Sequence, residues 1–245
     1  MNNPFKIDWP QYLPDLGTGI VWTLQFTVVS FMLAAVWGLA LALARSSRFA
    51  PLRVAAYCYT ELFKNVPIIT EIFIVYFGLG QIGITLGTFS AGVISLVLFY
   101  GAYLAEIFRG ALQSVPDTQK EASAALGFSP LQINRYVVLP QAVRVALPGA
   151  ATMLVDLLKS TSLLITIAAA ELMNQAQTIA SETFRPLEVY VVIGAVYFVL
   201  CFPLSRAALW LEQKLTAGVA LAPGRRRLLR AVQSRDLAAA SVRPS

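Results

Sequence analysis

Residues Pro116 to Pro140 read P-D-T-Q-K-E-A-S-A-A-L-G-F-S-P-L-Q-I-N-R-Y-V-V-L-P. This is the longest polar-rich stretch between apolar runs, and its reading decides how the chain is arranged. A plain connecting loop would be dense in Gly, Ser and Asn. This stretch carries two sets of helix signals instead. Thr118 to Glu121 fits a T-x-x-E capping box, and Ala122 to Leu126 is strong helix former. Gly127 stands where that helix would stop, because glycine enters the left-handed conformation without a Cβ penalty. Ser129-Pro130-Leu131-Gln132 is a second start, with Ser as N-cap and Pro at the first helical position. Pro140 is expected to end that second helix. The reading is a hairpin of two short helices, folded at a glycine and projecting from between membrane spans. Such a hairpin suits docking a partner better than covalent chemistry.

Working outward, the chain has 245 residues, of which 57% are hydrophobic and 13% charged, and its mean hydropathy is +0.66. An ordinary soluble domain is far more charged. The expected class is an all-α, polytopic transmembrane helical bundle. There is no histidine, which excludes His-based acid–base catalysis, His-activated nucleophiles and most catalytic zinc sites. Cys58 and Cys201 lie inside apolar runs and read as small buried hydrophobes rather than a disulfide or metal pair. The net charge of +6 would suggest nucleic acid in a soluble protein. Here the tendency of membrane proteins to keep Lys and Arg on the cytoplasmic side accounts for it, and no nucleic-acid partner is expected.

Five spans are read. They are 20–44, a segment within 57–80, about 89–112, about 146–170 and 190–211. Residues 1–19 are expected outside; Trp9, Tyr12 and Trp22 are candidates for the interfacial aromatic belt, and no signal peptide is read. Pro67 would kink or break the second span. Residues 171–188 look like a polar external loop, with room for a short helix. The permease body is placed at 20–215, and an Arg-rich cytoplasmic tail at 216–245. With the Arg45–Arg53 loop inside, fifteen of the nineteen Lys and Arg fall on one side. Lys6 and Arg185 fall on the other, and Lys64 and Lys159 lie within spans. That asymmetry puts the N-terminus outside, the C-terminus inside and the hairpin in the cytoplasm.

Charge inside a span is expensive, and such residues tend to face a cavity or a partner. Three acid–base pairs stand three apart: Glu61 with Lys64, Glu106 with Arg109, and Asp156 with Lys159. Mutual neutralisation is the bland reading of each, and it is weakest for Asp156–Lys159, beside the polar run Ser160-Thr161-Ser162. Glu71 has no such partner and is read as facing water in a pore. No G-x-x-x-x-G-K-[ST] loop is present, so ATP is not expected on this chain by the usual route.

Glu121-Ala122-Ser123, then Gly127, then Val137-x-Leu139-Pro140 resembles the EAA loop of binding-protein-dependent ABC importer permeases, with matching spacing. Ser123 and Val137 replace the usual Ala and Ile. Further stretches resemble the polar amino acid branch (His/Glu/Gln/Arg/opine) of that family: Glu61–Phe73, Gly101–Gly110, Leu139–Pro148 and Lys159–Leu163. Against the family pattern, Glu71 stands for Gln, Thr118 for Gly, and Ser160 for the Asp of K-D-T-S-L.

The resemblance implies a type I ABC importer permease fold and alternating access. Glu121, Ala122, Ser123, Gly127, Leu139 and Pro140 would couple to an ATPase. Glu71, Tyr103, Glu106, Lys159, Ser160, Thr161 and Ser162 are candidates for the substrate pathway. The implied partners are an ABC ATPase dimer holding ATP and Mg, a second permease chain, identical or paralogous, and a periplasmic or tethered solute-binding protein. Membrane lipid surrounds the spans, and the location is the bacterial inner membrane. The chain itself would be no enzyme and hold no cofactor. Loss of the Asp at Ser160 and the presence of Lys159 favour glutamate or aspartate, then glutamine, over a basic amino acid. A proton-coupled secondary transporter using Glu71, Glu106 or Asp156 is the alternative, and a membrane-embedded enzyme stands below it.

Overall fold

The computed structural model describes residues 7–216, so the tail expected at 216–245 lies outside the described residues except at its first position. All regular structure among the described residues is helical. We number the helices α1 Trp9–Arg45, α2 Ala50–Asn65, α3 Ile68–Gln81, α4 Thr88–Gln113, α5 Asp117–Ala125, α6 Pro130–Ile167, α7 Leu172–Thr183 and α8 Pro186–Thr216. Of these, α1, α4, α6 and α8 are each long and apolar enough to cross a membrane. The second span is not a single rod. Its halves α2 and α3 meet at 107° around Val66 and Pro67. Pro67 has no N–H to offer and holds the preceding residue extended, so of the kink or break expected there it is the break that occurs. Counting the bent pair as one crossing makes five.

α1 and α4 form the centre of the bundle. The buried face of α1 runs through Gly19, Thr23, Phe26, Ser30, Ala34, Gly38 and Leu41, a stripe at helical spacing made mostly of small residues. Gly38 is needed for the close approach of the two helices. A Cβ there would sit 2.9 Å from the carbonyl oxygen of Gly101 on α4. Phe26, Leu96, Tyr100 and Leu104, with Leu157 and Leu164 of α6 and Ile72 of α3, make the main core. A second core joins α1, α7 and α8 through Tyr12, Leu16, Leu172, Ile179, Val189 and Ile193. Tyr12 therefore packs inward rather than in an aromatic belt, and Trp22 packs on Phe26 and Phe89. Cys201 is buried, but Cys58 points outward from α2, contrary to its apolar surroundings in sequence.

Pro140 does not end a helix. The second hairpin helix runs on into the fourth span, making one helix from Pro130 to Ile167. The turn before the proline widens to π geometry over Ile133–Val138. A wider turn removes the clash between the proline ring and the carbonyl one turn back, and no N–H is missed. At its far end α6 tightens to a 3₁₀ turn over Thr161–Ile167.

Candidate coupling hairpin and polar pathway

In the hairpin, α5 starts after Pro116 with no side-chain cap. The T-x-x-E box expected at Thr118 does not form, because Pro116 takes the cap position and places Thr118 inside the first turn. The exit from α5 matches the sequence. Gly127 has φ +86°, its N–H donates to the Ala124 carbonyl at 2.9 Å, and the Phe128 N–H donates to the Ser123 carbonyl at 3.2 Å. These bonds satisfy carbonyls that the helix end would leave open. Ser129 then caps α6 in a full box. The Ser129 N–H donates to Gln132 Oε1 at 2.8 Å, and the Gln132 N–H donates to Ser129 Oγ at 3.4 Å.

One clasp was absent from the sequence reading. Gln141 Nε2 donates to Gln119 Oε1 at 2.7 Å and to the Val137 carbonyl at 2.9 Å. It ties the start of α5 to the body of α6, across the hairpin. Two glutamines far apart in sequence carry no local signal of such a bond. Ser123 is buried and spends its hydroxyl on the Gln119 carbonyl at 2.7 Å, so it replaces Ala without an unpaired group. The hairpin's outer surface is apolar and uncovered: Leu126 is 79% exposed, Leu131 76% and Tyr136 61%. Glu121, Ala122, Leu139 and Pro140 are exposed on the same hairpin and its continuation. Glu121 has no ion-pair partner among the described residues.

At the same end of the bundle, Glu106 of α4 receives both Arg109 and Arg45 of α1, and Arg45 also donates to Thr60 Oγ1 of α2 at 3.0 Å. The expected Glu106–Arg109 pair is thus one half of a three-helix knot. Glu61 pairs with Lys64 at 2.9 Å as its spacing predicts. Beside it the Tyr103 hydroxyl donates to the Lys64 carbonyl at 3.3 Å, meeting a carbonyl freed by the break at Pro67.

Deeper in the spans, the third pair does not form. Asp156 and Lys159 are both exposed in the single chain, with no ion pair between them. Tyr100 of α4 takes the place of Lys159. Its hydroxyl lies 3.3 Å from Asp156 Oδ2 and 2.7 Å from Ser160 Oγ. Thr161 is fully buried, with its hydroxyl on the Leu158 carbonyl, and Ser162 donates to the Lys159 carbonyl. The result is a ledge on α6 with one carboxylate, one ammonium and a tyrosine–serine pair. Glu71 does not face water. It is 4% exposed, and neither carboxylate oxygen has a hydrogen-bond partner among the described residues.

Residues 171–188 also differ from expectation. The short helix the sequence left room for forms as α7, but it packs between α1 and α8 rather than lying in a solvated loop, and Glu171 is fully buried. Its carboxylate accepts from the N–H groups of Met173 and Asn174, both at 2.8 Å, and from the Tyr197 hydroxyl at 3.0 Å. Burial pushes the Glu171 carboxyl above the ordinary carboxylate range, against the pull of those three donors. The Leu172 N–H donates to Thr23 Oγ1 of α1 at 3.1 Å, closing the node. Glutamate directly before an apolar helix start is the one signal that could have marked it.

Comparison with known proteins places this architecture. The pattern of the family described as binding-protein-dependent transport system inner membrane component matches residues 12–217. The chain is 34% identical over 197 residues to a probable glutamine ABC transporter permease of Bacillus subtilis, covering 80% of this chain and 91% of that protein. It is 38% identical over 192 residues to a probable amino-acid ABC transporter permease of Vibrio harveyi, covering 74% and 86%. Among solved structures, a crystal structure of an amino acid ABC transporter with histidines superposes with a TM-score of 0.81 at 32% identity, over 86% of this chain and all of that one.

Proposed function

The chain belongs to the family of binding-protein-dependent transport system inner membrane components and is an amino acid ABC importer permease, and we propose that it carries glutamate or aspartate first and glutamine next. Hydrolysis of ATP belongs to a separate ATPase subunit, which would hold the nucleotide and Mg. The working assembly in this proposal is two permease chains, two ATPase subunits and a solute-binding protein in the bacterial inner membrane. The N-terminus lies outside and the hairpin inside, on the basis of the Lys and Arg asymmetry.

The observation that carries the substrate reading is Lys159 left without an acidic partner among the described residues. An ammonium group in a polar ledge suits a carboxylate ligand. Asp156, likewise outside an ion pair among the described residues, suits the α-ammonium of the same molecule. Glu71 is buried and lines a pocket with Leu62, Phe63, Val66, Ile74, Val75 and Leu98, none of them a residue of the ledge, so its charge does not argue for a cationic solute. The name of the glutamine-permease relative agrees with this class. The proton-coupled alternative has no support in these likenesses.

Coupling follows from the continuity of α6. Leu131 on the exposed hairpin and Lys159 on the ledge stand on one helix, separated by a contour of roughly 40 Å. Motion of an ATPase against the hairpin would reach the ledge through that rod, with the Gln119–Gln141 clasp keeping the hairpin rigid. The test is uptake of labelled glutamate by proteoliposomes holding the full complex, with unlabelled competitors. Competition by glutamate, aspartate or glutamine is expected. Competition by arginine or lysine with none from those three would overturn the substrate assignment.

A further inference from the structure

We propose that the pocket walled by Arg45, Arg53 and Arg109 binds the phosphate of an anionic phospholipid headgroup. This inference stands apart from the substrate reading. The pocket encloses about 270 Å³ between the end of α1, the start of α2 and the end of α4, and Val54, Tyr57 and Gln113 complete its lining. Among the described residues, these three guanidinium groups have one carboxylate ion-pair partner, Glu106, which holds two of them. Glu61 adds no free negative charge, because Lys64 neutralises it. Two positive charges are therefore left over in the pocket.

The donors are placed rather than loose. Arg45 is fixed by Glu106 and Thr60 and lies over the Tyr57 ring at 5.3 Å. Arg109 is fixed by Glu106 and by Gln113 Oε1 at 2.7 Å, and its buried Nε has no partner among the described residues. Arg53 reaches back to the Ser47 carbonyl at 3.3 Å, and is the one arginine of the three outside the Glu106 knot. Forked guanidinium donors match phosphate oxygens two at a time.

Two features favour a lipid over a soluble phosphate. The pocket lies where three spanning segments reach the basic end of the bundle, the end that the Lys and Arg asymmetry assigns to the cytoplasmic headgroups. Its wall and rim are also apolar: Val54 is 55% exposed, Tyr57 52% and the nearby Leu52 46%. A soluble anion would leave those side chains facing water. A phospholipid covers them with its glycerol and upper acyl carbons while its phosphate meets the arginines.

The test uses the full transport complex in phosphatidylcholine nanodiscs, titrated with phosphatidylglycerol and read by native mass spectrometry of retained lipid. Arg53→Gln probes the pocket without touching the Glu106 knot. Arg48→Gln removes the same charge from an exposed position at the same end that does not line the pocket. The expected result is selective retention of phosphatidylglycerol, weakened at least about fivefold by Arg53→Gln and clearly less by Arg48→Gln. Equal loss in both variants would reduce the effect to diffuse surface attraction and overturn the site. No preference for phosphatidylglycerol, or displacement by inorganic phosphate as effective as by lipid, would overturn it as well.

Discussion

Residues 116–140 and residues 171–188 are both polar interruptions between apolar spans, yet they fold by opposite rules. The first closes its helix ends with its own residues: Gly127 turns it and Ser129 and Gln132 cap it, while Gln141 just beyond it clasps Gln119. Its apolar side chains, Leu126 and Leu131, are then left outside. The second closes its helix start with Glu171, whose other partners come from elsewhere: Tyr197 on α8, with Thr23 on α1 alongside. Leu172 and Ile179 on its helix are wholly inside, and Phe184 and Leu187 beyond the helix end stay exposed. A segment that satisfies its backbone locally keeps a face free for a partner. A segment that satisfies it through neighbouring spans becomes part of the bundle.

The largest effect should come from breaking the inner segment. Glu171→Ala leaves two backbone N–H groups and the Tyr197 hydroxyl buried without an acceptor, a cost of about 3 kcal/mol or more. Thermal unfolding in detergent should show it as a large fall in midpoint; an unchanged midpoint would refute the node. Glu171→Gln keeps an acceptor and should fall less. It also isolates the pH dependence. Because the folded-state carboxyl is raised, the wild-type chain is spared the cost of ionising it below the ordinary carboxylate range, near about pH 4, and bears that cost increasingly as pH rises toward the raised value. The glutamine variant should lack this decline, so the difference between the two proteins should shrink as pH rises.

Breaking the outer segment should act on function instead. Gly127→Val puts a β-branched residue at φ +86°, where only glycine is comfortable. Nothing lies within 4 Å of the added Cβ, so the strain stays in the turn. Membrane levels should stay near normal while uptake and stimulated ATP hydrolysis fall together. Normal values of both would remove the coupling role.

The smallest effects sharpen the difference between the two helix starts within the hairpin. Ser129→Ala should cost about 1 kcal/mol, the usual worth of a cap, whereas Thr118→Ala should be close to silent because its hydroxyl caps nothing. Hydrogen exchange of the first-turn amides of α5 and α6 would measure both. A larger loss at Thr118 than at Ser129 would reverse the assignment.

The legible parts of this protein share one physical cause. The apolar runs, the turn at Gly127, the break at Pro67 and the cap at Ser129 follow from backbone geometry and from residues within a turn of one another. Hence the sequence alone determined the helical class, the spans approximately, the hairpin and, through the family pattern, the role of the chain. Charged side chains obey another rule. A pair three apart on one helix is worth only about 0.2–0.5 kcal/mol, so any better partner on a neighbouring helix displaces it. Tyr100 stands beside Asp156 where Lys159 was the candidate, Arg45 joins Glu106, and Glu71 ends buried and alone. The passage of α6 through Pro140 belongs here too, because a π turn removes the local clash that would have ended it. Only the tertiary structure decided these, since which helices meet, and at what depth, sets the partners and the burial of every charge in the spans.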